Sequence, residues 1–236
     1  MPVPEPTLPF EDRAEPAGRA ESPDATPLWD PAALAGRLVE ITPGRPSTAL
    51  QRPAGALPAI WDIAPVSSRD AGSATLTAAA SLLWKAQQRG EPAAWINART
   101  SSFFPPDLDA AGIDLAALVV VRVTAASAAA RAADKLLRSG AFGLVVLDLG
   151  AHAAVPAALL GRLLGLAQKH RAAVVFLTEK TDDAASLAPI VSLRVAAMRR
   201  RIGAGRFTCT VQARKDKRRA PGWTFEENFR GPPGLR

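Results

Sequence analysis

Ser67, Gly72, Ser73, Ala74 and Thr75 belong to APVSSRDAGSATL, residues 64–76, a stretch standing where a phosphate-binding loop would be expected. The apolar run Ala59-Ile60-Trp61-Asp62-Ile63 before it reads as a strand, and helical spacing follows it. A working loop, G-x-x-x-x-G-K-[ST], wraps phosphates with backbone N–H groups, reaches them with its lysine and binds magnesium through its hydroxyl. With Gly72 as the second glycine, Ser67 takes the first, Ser73 the lysine and Ala74 the hydroxyl, although Thr75 is adjacent. Losing the lysine and the hydroxyl removes charge stabilisation from binding and from phosphoryl transfer alike. Alone, the stretch reads as an ordinary strand–turn–helix. Asp148 changes the context, because it ends the apolar run GLVVLD roughly 75 residues later. A magnesium-coordinating carboxylate belongs at such a strand end.

The second chemical signal is basic. Residues 1–198 hold 18 Lys/Arg against 19 Asp/Glu, whereas residues 199–236 hold 11 against 3. The whole excess of +7 therefore sits at one end, which points to a polyanion or an acidic partner. Arg199, Arg200, Arg201 and Arg206 come first, then Lys215, Lys217, Arg218 and Arg219, with Trp223, Phe225 and Phe229 interleaved beyond them. Cations neutralise phosphates and rings stack on unpaired bases, so these residues are candidates for contact with DNA or a protein partner. Strand alternation puts Arg199 and Arg201 on one face and Arg200 on the other. Alternatively, the rings close a sheet edge and the charges keep it soluble.

The elements that must position these residues follow from periodicity. Residues 1–40 read as an N-terminal arm, largely disordered, with a short helix in DPAALAGRL, where Asp30 caps and Pro31 starts the first turn. Residues 42–58, with four prolines, read as a loop. Strands are expected at 59–64, 92–97, 117–123, 143–148 and 172–178, and helices at 73–89, 105–112, 125–139 and 155–170. This alternation means βαβ units and a mainly parallel sheet, and the run 117–123 reads as a buried strand. Val191, Leu193 and Val195, then Phe207, Cys209 and Val211, alternate about Ile202–Gly205 and predict an antiparallel hairpin. The core is expected over 41–212 and a basic C-terminal tail over 213–236.

Other chemistry is sparse. One cysteine, Cys209, allows no internal disulfide, and a reducing cytoplasm fits. The N-terminus lacks the pattern of a secretory signal, and no apolar run is long enough to span a membrane. His152 and His170 have no acid or cysteine cluster at metal spacing, so neither a metal nor another cofactor is expected. No serine has a histidine placed beside it by this topology.

The order of these segments resembles a RecA-type ATPase core over roughly residues 55–212. IWDIAPVSSRDAGSATLTAA matches the loop and its helix, GEPAAWINART the next strand, and LLRSGAFGLVVLDLGA the acid-bearing strand. AAVVFLTEK and SLR…RRIGAGRF follow in order. The resemblance implies an α/β/α three-layer fold with a twisted, mainly parallel sheet. It also marks departures. The catalytic glutamate falls on Arg99, with Asn97 in place of the acid before it, and the phosphate-sensing glutamine is Glu179. An arginine cannot accept a proton at neutral pH, so no ATP hydrolysis is expected.

Length and the pattern VQARKDKRRAPGWTFEENFRGPPGLR resemble one branch of the superfamily more closely, the ImuA family. That resemblance implies a non-catalytic accessory factor of the SOS response to DNA damage, acting in mutagenic translesion synthesis. RecA, a Y-family-polymerase-like protein of the ImuB type, an error-prone replicative polymerase and DNA are its implied partners. The alternatives are a weak DNA-dependent ATPase using Asp148 and Thr75, and a SulA-like inhibitor of cell division.

Overall fold

The structure is a computed structural model that describes residues 28–44, 71–98, 103–151, 153–181 and 184–230. It begins with α1 (Pro31–Leu34), where Asp30 accepts the Ala32 N–H at 2.9 Å and Pro31 opens the first turn. Then follow β1 (Arg37–Pro43), β2 (Ala71–Ser73), α2 (Thr75–Gln88), β3 (Ala93–Asn97), α3 (Pro105–Ala110), β4 (Leu118–Arg122) and α4 (Ala126–Arg138). The chain continues through β5 (Leu144–Gly150), α5 (Ala157–His170), β6 (Ala173–Thr178), β7 (Leu193–Gly203), β8 (Arg206–Asp216) and β9 (Thr224–Arg230).

Eight strands line up as β4-β3-β5-β6-β1-β7-β8-β9, and the short β2 pairs with β7 as a ninth. From β4 to β7 every pairing is parallel, whereas β7–β8, β8–β9 and β2–β7 are antiparallel. The fold is thus α/β, with a mostly parallel sheet and a C-terminal antiparallel hairpin. The hairpin turns at Ala204–Gly205, and Gly205 supplies the positive φ, 63°, that a tight turn needs.

Each face of the sheet buries a different set of side chains. On one face α2 lays Ala78, Ala79, Leu82, Leu83 and Ala86 over Val39, Trp95, Val146, Val175 and Val195. On the other, Ala129, Ala130 and Ala133 of α4 and Leu160, Leu163 and Ala167 of α5 cover Ile96, Val145, Val174 and Phe176. The small alanine side chains let these helices sit close to the strands. Among the described residues no helix is long and apolar enough to cross a membrane.

The structure corrects three expectations. The sheet's central strand is β1, RLVEITP, in sequence read above as the end of an arm and the start of a loop; the strand expected at 59–64 lies outside the described residues. Periodicity misses β1 because it carries polar residues on both faces, Arg37 on one and Glu40 and Thr42 on the other, all buried. β4 is an edge strand whose middle is open, with Val119 42% and Val120 38% exposed, so its apolar run does not mean burial on both faces. Residues 213–230 are not a tail: β8 runs on to Asp216 and β9 adds an edge strand that packs Phe225 and Phe229 against the core.

Candidate functional site

A parallel sheet offers its ligand site at the carboxyl ends of its strands, where successive connections leave toward opposite faces. β1 and β6 are such neighbours. The chain after β1 returns as α2 on one face, while Leu187, Ala188 and Ile190, after β6, pack on the other. Near this end one register row crosses four strands: Asn97, Asp148, Leu177 and Ile41. Asp148 is therefore two strands from β1, with a Cα separation of about 10 Å from Ile41 at ordinary strand spacing. Alternation turns Asn97 and Asp148 to the α2 face, and both are nearly fully buried.

The segment read as a degenerate phosphate loop has a different form. Ser67 lies outside the described residues. Gly72 and Ser73 belong to β2, opposite Arg199 and Met198 of β7. Extended backbone points successive N–H groups to opposite sides, so it does not form the converging nest that cups an anion. Ala74 is the N-cap of α2 and makes no side-chain cap, and Thr75 is the first helical residue. The carbonyl of Ala197 accepts the N–H of Gly44 at 2.8 Å and that of Ala74 at 3.3 Å. The exit of β1 and the start of α2 are thereby stitched to one point on β7. Gly44 permits this approach, since a Cβ there would lie 3.1–3.2 Å from Met198 Cε and the Ala197 carbonyl group.

Beside this region is a site that periodicity did not reveal. Glu40, fully buried on β1, accepts from Thr178 Oγ1 at 3.2 Å, Ser186 Oγ at 2.8 Å and the Leu187 N–H at 2.9 Å. Arg194 Nε stands 3.8 Å from the same carboxylate, and its guanidinium donates to the carbonyls of Ala184 and Thr181. The buried charge thus fastens the β6–β7 connection onto the sheet. The only sequence signal was a glutamate inside a β-branched run.

The basic residues form two groups rather than one patch. Arg199, Arg200, Arg201 and Arg206 surround the hairpin tip, and all four are exposed. Lys215, Lys217, Arg218 and Arg219 lie at the opposite end of β8, about 30 Å away for an extended strand of that length. There Lys215 Nζ donates to the Pro189 carbonyl at 3.2 Å; burial, then the Lys217 charge, lower its pKa. Trp223 is half-buried against the core, and its indole donates to Asp216 at 3.0 Å, so it closes the sheet edge rather than offering a stacking platform. Register confirms that Arg199 and Arg201 share a face from which Arg200 is excluded. Arg199 covers the Phe207 ring at 5.2 Å. Cys209 is buried, and burial, reinforced by Glu227, pushes its thiol up to about 12.

With this geometry in view, no protein-family model matches the chain, and no curated protein matches it either.

Proposed function

We propose that the protein is a RecA-like adaptor of α/β/α three-layer form that works in cytoplasmic DNA-damage tolerance without nucleotide chemistry. In this reading it associates with RecA, with a Y-family-polymerase-like partner, or with both, and favours translesion synthesis over recombination. One observation carries the non-catalytic part. Gly72 and Ser73, aligned with the second glycine and the lysine of a phosphate loop, are strand residues paired with β7. Helices on both faces and a switch point at the carboxyl end support the fold assignment. A fold of this kind without its motor is a scaffold, and function moves to its surfaces.

Asp148 favours a second reading, a weak DNA-dependent ATPase, because it lies buried near the carboxyl end of β5, beside the switch point. Calorimetry with Mg-ATP, followed by phosphate release with and without single-stranded DNA, separates the two. The adaptor gives no binding heat and no phosphate, and it co-purifies with RecA or the polymerase-like protein. Phosphate release that disappears in Asp148→Asn would install the ATPase instead. A DNA-free complex with a division GTPase would replace both.

A further inference from the structure

The hairpin tip concentrates arginine in a way the fold alone does not reward. Arg206 of β8 stands directly opposite Arg230 of β9, and two residues inward Arg200 of β7 faces Thr208, which in turn faces Asn228. Alternation sets these side chains on the face turned away from α2, with Arg199 and Arg201 on the other. Like charges directly opposite one another in a ladder destabilise it. Among the described residues no carboxylate lies within ion-pair reach of Arg200 or Arg206. The nearby glutamates are committed elsewhere: Glu227 accepts from Ser81 at 2.7 Å and pairs with Lys85, and Glu226 accepts from Thr210 at 3.0 Å. Asn228 accepts from Thr208 at 2.8 Å through its carbonyl oxygen, which leaves its amide N–H groups as further donors.

We propose that this tip docks the phosphodiester backbone of a nucleic acid. Guanidinium groups grip phosphate oxygens two at a time, and a polymer charged along its whole length suits cations displayed on both faces of a narrow tip. The face that carries Arg200, Arg206 and Arg230 shows no aromatic ring in these rows, so the contact is to backbone rather than to bases and is indifferent to sequence. Nucleic acid is chosen over an acidic protein because the chain is read as working beside DNA, and to that extent the inference rests on the function proposed above.

Fluorescence anisotropy of labelled single-stranded and duplex oligonucleotides, from about 50 to about 200 mM salt, tests it. Binding should weaken with a log–log slope of about −0.7 per neutralised phosphate on single strands and about −0.9 on duplex. The comparison of the two arms identifies the preferred form. The double variant Arg200→Ala/Arg206→Ala should bind at least about tenfold more weakly at the lower salt and flatten that slope by roughly 1.4–1.8. Arg218→Ala/Arg219→Ala, at the far end of β8, should behave as the unaltered protein. Equal losses in both variants, no binding to either oligonucleotide at low salt, or equally effective competition by polyglutamate would each overturn the proposal. The calorimetric test is independent of these results. ATP turnover alongside binding that maps to the tip removes only the adaptor reading. An unchanged slope in the tip variant, with partner association intact, removes only this one.

Discussion

Arg37, at the first position of β1, forms a buried ion pair with Asp216, at the last position of β8, with side chains 6% and 1% exposed. The two residues close the amino-terminal end of the sheet, and the Trp223 indole and the Arg218 backbone N–H complete the carboxylate's shell. Burial pushes the Asp216 carboxyl upward, but the Arg218 N–H, the Trp223 indole and Arg37 together hold it below the usual carboxylate range. On the arginine, burial outweighs the attraction of Asp216 and lowers the pKa. The pair therefore matters most through the cost of breaking it.

Because the Asp216 pKa is depressed in the folded state, its contribution to stability is complete above about pH 4, the ordinary aspartate value, and is lost as pH falls through its lower folded value. Asp216→Ala should lose about 3–5 kcal/mol at pH 7, since it strands a buried guanidinium. Urea titrations at pH 7 and pH 3 check this, with a smaller difference between the two proteins at the acid end.

Glu40 makes a parallel case in the middle of the sheet. Glu40→Ala leaves Arg194 buried without its carboxylate and should cost about 3–5 kcal/mol. Glu40→Leu/Arg194→Met, which removes both charges, should recover part of that loss. Chemical denaturation of the single and double variants gives the coupling directly.

The buried Cys209 thiol, raised to about 12, should stay silent to a thiol reagent at pH 8 in the folded protein and react at once in denaturant. Labelling in native buffer should then proceed only at the rate at which β8 opens.

Removal of residues 222–236 distinguishes a tail from a strand. A tail can be lost without consequence. Loss of β9 removes Phe225 and the Glu227 partner of Ser81 and Lys85, so the shortened chain should unfold at a markedly lower urea midpoint. An unchanged midpoint would contradict the packing described for β9.

Much of the architecture was legible in the residues. GLVVLD and AAVVFLT are unbroken apolar runs, Gly140 ends the alanine-rich helix before it, and the alternation on either side of Ile202–Gly205 marks the hairpin. β1 was not legible, because its stabilising partners are far away in sequence: Thr178, Ser186 and Arg194 make a buried Glu40 tolerable, and no local pattern announces them. Nor was the edge position of β4, since an apolar run does not say which neighbours it has. Asp148 was expected to end its strand, but β5 runs two residues further, to Gly150, with a register shift after Asp148. The basic residues were recognised by type, but only the length of β8 shows that one cluster in sequence becomes two in space.

The placement of β1 also governs how the chain must assemble. Val39 has its two ladder neighbours in Val175 and Leu193. At ribosomal speed the nearer one emerges on the order of ten seconds after Val39 itself. Until then the most central strand of the molecule has no ladder partner, although β3, β4 and β5, made in between, can pair with one another. The topology is thus one of late closure: slow to fold for its size, with an apolar strand exposed throughout, and finished only when the C-terminal half arrives to enclose it.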